Sequence, residues 1–317
     1  MDLTNTMYHY TSQKGFEGIV REDGIHLWFS DARYMNDSSE LINAKKFLMK
    51  AADELLATKK IDKSIYKELE GIRYNPKKFD DLKFVPSKDK PFGFEMRSAD
   101  YHKFICCFSK EADSLPMWNY YLKGDENGYA IGLNLDGINT DDCEIVGRVK
   151  NKADYKFDEE IKSMLYDDEE KLQIFKSEIL DFADSVSKYS EDSIERLSYG
   201  AIFQQSFEYY SCAFKDYHFA YENERRIMVT VKDSDELYID GQRRDDIKFR
   251  LSHGLAIPYF ELLIPNKKVL KAVSISPRIG LNSSDDIAKE SMRAYLQHLG
   301  YEHNINIRCS QIPLRYY

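Results

Sequence analysis

Glu222 and Glu224 stand two apart in Tyr221-Glu222-Asn223-Glu224, directly before Arg225-Arg226-Ile227-Met228-Val229-Thr230-Val231, a run rich in β-formers. Alternate residues of a strand share a face, so the spacing predicts both carboxylates aimed into one cleft. A fixed carboxylate suits a reaction that builds positive charge on a sugar, as cleavage of a glycosidic bond does. Two distant stretches also deliver polar groups at strand ends: Tyr8-His9-Tyr10-Thr11-Ser12, and Leu27-Trp28-Phe29-Ser30-Asp31-Ala32-Arg33-Tyr34. Taken singly, each has a plainer reading. A lone His in a strand is more often a packed, hydrogen-bonded core residue, and a Glu beside Arg225 and Arg226 is often a surface ion pair of little energetic value.

Other chemistries are poorly served. His218 and Glu222 are four apart, His298 and His303 five apart, and His102 lies near Cys106, yet neither HExxH nor a paired CxxC is present. Asp216, Glu222 and Glu224 could hold Mg²⁺ in a nuclease, but no further set of acids accompanies them. Gly-rich phosphate loops of the dinucleotide or P-loop kind are absent. The five cysteines, Cys106, Cys107, Cys143, Cys212 and Cys309, form no disulfide framework or zinc ribbon by spacing.

The 317 residues, 43% hydrophobic and 31% charged, are ordinary for a globular chain with a substantial core. A net charge of −9 argues against broad attraction to nucleic acid. A local basic patch remains open, from Arg225/Arg226, from Arg243/Arg244 with Lys248 and Arg250, from Lys267/Lys268/Lys271, or from Arg308/Arg315. No signal segment and no apolar run near ~18 residues is read, which points to a reducing cytoplasm.

The elements that must position these groups are legible in outline. Residues 5–12 read as a strand, with Thr11/Ser12 capping a helix over Lys14–Arg21 that Gly24 stops. Ile25–Ser30 is a strand, and Asn36-Asp37-Ser38-Ser39-Glu40 is a helix entry in which Asp37 or Ser38 accepts from the first free N–H groups; Asn36 and Asp37 read as caps in preference to ribose contacts. Helix then runs from Leu41 to about Arg73, and residues 74–100, with Pro76, Pro86 and Pro91, read as a loop. Strands follow at Lys103–Ser109, Gly128–Asn134 and Glu144–Val149, with a short helix Ser114–Leu122 carrying Trp118 as a core anchor beside Met117. Residues 156–216 read as almost wholly helical. Arg225–Lys232, Tyr259–Leu263, Val269–Ser276 and Asn304–Cys309 read as strands, and Asp285–Leu299 as a helix. The class is α+β.

The order strand His, small residue or Thr, helix, Gly, then an apolar strand ending in Ser-Asp-x-x-Tyr, and later Glu-x-Glu, resembles the ADP-ribosyltransferase fold. That resemblance implies a split, mixed β-sheet core with large helical insertions, here at about 38–75 and 156–216 of a single domain over 1–317. It implies NAD as co-substrate with no metal. His9 would hold ribose hydroxyls, Tyr34 would stack on nicotinamide, and Thr11 and Ser30 would add cofactor contacts. Glu224 would stabilise the oxocarbenium-like state, and Glu222 would guide the acceptor. Tyr10 stands where many members of that superfamily have Gly.

At whole-chain level the sequence resembles the bacterial domain-of-unknown-function 2971 family. The landmarks are Tyr8–Ser12, Ser30–Glu40, Cys107-Phe108-Ser109, Leu115–Tyr121, Gly128–Gly132, Tyr221–Ile227, Ile275-Ser276-Pro277 and Ser310–Arg315. Arg225 and Ser38 depart from its usual aromatic and Pro. The combined expectation is a pentosyltransferase acting as a toxin or phage-defence effector, with a nucleic-acid acceptor (RNA or DNA) and a neutralising antitoxin-like partner. The alternatives are a non-catalytic binding module on the same fold, or an NAD glycohydrolase that transfers to water.

Overall fold

The computed structural model describes residues 3, 5–35, 40–73, 77–85, 93–122, 127–136, 140–147, 152–158, 161–190, 193–234, 238–239, 242–252, 254–277 and 285–313. In chain order the first half comprises β1 (Met7–Ser12), α1 (Gln13–Ile19), β2 (Val20–Arg21), β3 (Gly24–Asp31), α2 (Glu40–Ala57), α3 (Lys63–Gly71), β4 (Lys77–Val85), β5 (Gly93–Ser109), α4 (Leu115–Tyr121) and β6 (Gly128–Leu133). Next come β7 (Glu144–Ile145), β8 (Tyr155–Phe157), β9 (Lys162–Ser163), α5 (Asp168–Val186), α6 (Ile194–Ala213), β10 (Glu224–Lys232), β11 (Tyr238–Ile239) and β12 (Gln242–Arg243). The chain closes with β13 (Lys248–Ser252), β14 (Leu255–Ile264), β15 (Leu270–Ile275), α7 (Asp285–His298) and β16 (Asn306–Cys309).

One large mixed sheet organises the fold, in the order β13-β14-β3-β5-β1-β6-β15-β16. Its ladders are antiparallel except for β15 with β16, which run parallel. β10 lies along β5 from Tyr101 to Ser109 and occupies one edge of that strand. β1 and β3 therefore share the other edge, β1 at Ser109 and β3 at Ile105 and Phe104. From that edge two arms leave: β1-β6-β15-β16 and β3-β14-β13. The class is mixed α+β, as the sequence implied.

The main core packs between the sheet and α1 and α7, with Phe16, Phe29, Phe104, Phe260 and Leu296 among its buried residues. A separate apolar cluster joins α2, α3, α5 and α6 through Leu48, Leu69, Phe175, Ile179 and Phe207. Local signals build these helices. Ser12 caps α1, accepting from Gly15 N–H at 3.2 Å, and Asp167 caps α5 at 2.7 Å from Glu170 N–H. Three acids in the first turn of α5 complement the partial positive charge of its N-terminus. Lys45 of α2 donates to the carbonyls of Leu69, Glu70 and Ile72, satisfying groups that the end of α3 leaves free.

Several expectations need correction. Within the stretch expected as a loop, residues 77–85 and 93–100 are strand instead: β4 pairs antiparallel with the first part of β5, with a register shift between Phe79 and Asp81. Charged residues hide the strand pattern in this stretch, and Pro76, Pro86 and Pro91 lie outside the described residues. The helical stretch after Glu40 is two helices, broken where Lys59 adopts φ 57°, and Asp62 caps the second. Residues 155–163 supply β8 and β9, short strands on the outer edge of β10, so helix begins only at Asp168. The strand expected over 144–149 is two residues long. Gly24 does not stop α1, which ends at Ile19. It starts β3 at φ +144°, where a Cβ would lie 2.3 Å from the Ile264 carbonyl oxygen. The proposed caps Asn36 and Asp37 lie outside the described residues.

Candidate functional site

β5 is the strand that brings the distant segments together. Ser109 is the register partner of both Tyr8 and Glu224, so β1 and β10 flank it at one level. Four residues away Ile105 pairs with Ser30. Between those two pairings the arms diverge, and a cavity of about 690 Å³ opens. Its lining includes all six residues singled out by sequence: His9, Thr11, Ser30, Tyr34, Glu222 and Glu224.

His9 reaches the exposed edge of β5, where its Nδ1 lies 2.9 Å from the Cys107 carbonyl oxygen. A carbonyl only accepts, so Nδ1 carries the proton. Burial lowers the His9 pKa, against a smaller rise from that bond, which keeps the ring neutral. Nε2 is then a lone-pair acceptor suited to a ligand hydroxyl. Tyr34 ends a single 3-10 turn, Ala32–Tyr34, capped by Asp31 through Arg33 N–H at 2.9 Å. The Arg33 guanidinium bonds the buried Asp31 carboxylate at 2.6 Å and lies 5.7 Å from the Tyr34 ring centroid.

The two glutamates converge by a route other than strand alternation. Glu222 ends the 3-10 segment Tyr217–Glu222, Asn223 turns left-handed at φ 42°, and Glu224 opens β10. Asn223 is held by Glu111 at 2.9 Å, and the Ser109 hydroxyl donates to the Glu222 carbonyl at 2.6 Å. Asn tolerates this backbone better than most residues. Both side chains are buried, and Lys215 Nζ donates to each at 2.5 Å. Arg226 adds Nε to Glu224 Oε1 at 2.7 Å.

This arrangement drives the carboxyls apart. Burial alone would raise Glu224, but Arg226 and Lys215 overcome it and hold the group near 2. Glu222 is raised, because burial outweighs the pull of Lys215. Two acids with divergent ionisation can divide electrostatic and proton-transfer roles. Burial, with Glu224 second, also pushes the Cys107 thiol well up, leaving a neutral S–H that bonds Glu224.

Lys215 escaped the sequence reading, and Arg226, Cys107, Trp28 and Arg250, though named in it, were not placed at this site. Arg226 was visible as a same-face neighbour of Glu224. Nothing local marks Lys215, which arrives from the end of α6. Trp118 is a core anchor as expected, buried and donating to Asp113 at 2.7 Å, while Met117 reaches the cavity wall. Tyr10 is buried, its hydroxyl donating to the Glu111 carbonyl at 2.8 Å.

Several of the candidate basic residues are paired individually. Arg226 is spent on Glu224, Arg244 on Asp246 and Lys248 on Glu261, whereas Arg250 faces the cavity. All five cysteines are free. His218 pairs with Asp216 and His303 with Gln297, and among the described residues no group of His, Cys, Asp and Glu is gathered to hold a metal ion. Among the same residues no helix is long and apolar enough to cross a membrane.

No curated protein and no solved structure matches the chain. Residues 117–227, a span that includes Glu222 and Glu224 but neither His9 nor Tyr34, match the family described as protein of unknown function (DUF2971), which supports the resemblance to that family over this span.

Proposed function

We propose that the cavity binds NAD and that the protein is an ADP-ribosyltransferase on a split-sheet core of that fold type. One observation carries this reading: a neutral His, an aromatic and a buried, ionised Glu, from three distant segments, line one cavity. His9 Nε2 accepts from a ribose hydroxyl, and Tyr34 stacks on the nicotinamide ring, with Thr11 and Ser30 as further polar contacts. The C–N bond breaks with its electron pair leaving on nicotinamide, and Glu224 stabilises the positive charge that develops on the ribose. An acceptor nucleophile adds to the opened carbon and passes its proton to Glu222, whose raised pKa suits a base. The proposed acceptor is nucleic acid, in keeping with an effector or toxin role and a neutralising partner protein.

One observation favours the second reading, a non-catalytic binding module. Both carboxylates are already engaged, by Lys215 and by Arg226, which offsets the field they present to a ligand. Nicotinamide release from NAD separates the two, measured without acceptor and with RNA, DNA or protein, beside Glu224→Gln. The transferase reading expects release that falls by roughly 100-fold or more in the variant. The added component that accelerates release names the acceptor, and release independent of any acceptor means transfer to water. Absence of both NAD binding and release overturns the reading and leaves the binding module.

A further inference from the structure

Along β3 every position is buried except Trp28, which remains 44% exposed. Alternation places Trp28 and Ser30 on one face of that strand. Across the ladders Ser30 pairs with Tyr259 and Tyr259 with Lys248, so Arg250 follows on the same face of the β3-β14-β13 arm. Tyr259 backs the indole, with ring centroids 4.4 Å apart and planes tilted by 31°. Trp28, Ser30 and Arg250 all line the cavity, on the arm remote from β10 and its carboxylates.

Arg250 differs from the cations around it. Lys248 and Arg21 each pair with the Glu261 carboxylate, at 2.7 and 3.2 Å. Arg250 bonds the Ser30 hydroxyl at 3.3 Å, and among the described residues no carboxylate pairs with it. A half-buried guanidinium without a counter-charge is costly unless a ligand supplies the anion. Its planar fork matches a phosphate, and an indole held against a second ring is a platform for a flat heterocycle.

We propose that Trp28 and Arg250 form a nucleotide subsite, in which the indole stacks on the base and the guanidinium, with the Ser30 hydroxyl, takes the phosphate. The same chemistry is offered by the adenylate end of NAD and by a nucleotide of a nucleic-acid acceptor. The inference rests on the NAD reading for its place in a reaction, but its binding test needs no turnover.

Titration calorimetry with AMP, adenosine and a single-stranded oligoadenylate tests it, on the full chain, Trp28→Ala, Trp28→Phe, Arg250→Gln and Glu224→Gln. Stacking predicts about tenfold or greater weakening in Trp28→Ala, with binding retained in Trp28→Phe as a control for folding. Arg250→Gln loses the preference for AMP over adenosine. AMP that competes with NAD assigns the subsite to the adenylate end. Oligoadenylate binding that depends on both residues and that NAD does not displace assigns it to the acceptor. Failure of AMP and oligoadenylate to bind, or equal affinities in full chain and variants, overturns the subsite. Nucleotide binding by the full chain that depends on Trp28 and Arg250, with no nicotinamide release from NAD by that same chain, would sink the transferase reading alone.

Discussion

The Glu224 carboxylate and the Arg226 guanidinium, two residues apart on one strand, are joined by two hydrogen bonds, Nε to Oε1 at 2.7 Å and Nη2 to Oε2 at 3.2 Å, with both side chains buried. Their pairing, with Lys215, holds Glu224 near 2 against an ordinary 4.5. A depressed carboxyl contributes stability that is complete above its unfolded value and disappears as pH falls through the folded one. Urea melts should therefore lose on the order of 3 kcal/mol from this group between about pH 5 and pH 2. Glu224→Gln should show a shallower acid dependence over that window. An unchanged slope would contradict the assignment.

Glu222 is displaced the other way, and its rise belongs to function more than to stability. As a base it must be ionised, so acceptor-dependent turnover should climb with pH through an apparent pKa above the usual glutamate value. Glu222→Gln should flatten that limb while leaving acceptor-free nicotinamide release largely intact. A limb that survives the substitution assigns it to another group.

Lys215 is the ammonium common to both acids. Replacing it by Met leaves two buried carboxylates short of a cation, and loss of one partner of a buried pair costs about 3–5 kcal/mol. Denaturant unfolding should show a loss of that size for Lys215→Met. Adding Glu222→Gln to that variant should restore part of it, since one of the stranded charges is then gone. Independent, additive effects would mean that the two side chains do not share the interaction.

His9→Phe preserves a ring beside Phe108, its edge-on neighbour at 5.8 Å, but removes the acceptor nitrogen. KM for NAD should rise about tenfold, the worth of one well-placed hydrogen bond, with a smaller change in kcat. Steady-state kinetics decide this, and an unaltered KM would place His9 outside the ligand's reach.

Gly24→Ala tests the arm that carries Tyr34 and Trp28. At φ +144° a side chain is strained, and its Cβ would sit against the Ile264 carbonyl. A loss of roughly 2 kcal/mol or more in thermal or urea unfolding is expected. A neutral result would mean that the β2-β3 turn relaxes freely.

Short-range chemistry was legible in the sequence. The Ser12 cap and the strand over Ile25–Ser30 stand where pattern placed them. Legibility failed where charge masked alternation, as in β4 and the first part of β5, at 77–85 and 93–100, and where partners came from remote elements. Lys215 follows a helix of twenty residues and has no spacing that announces its contact with Glu222 and Glu224. The convergence of those glutamates was foreseen for an incomplete reason. Strand alternation cannot apply to Glu222, which precedes the strand, and the left-handed Asn223 does the turning instead.

His9 occupies an acceptor on β5 that a continuous ladder would give to a neighbouring backbone amide. The imidazole thus mends a defect in the pleat, and the mending fixes where its proton resides. The address of that proton is inherited from topology rather than written in a dedicated partner residue. Insertions or bulges that let the arms zip together would erase both the hollow and the tautomer at a stroke, with every side chain of the site still in place.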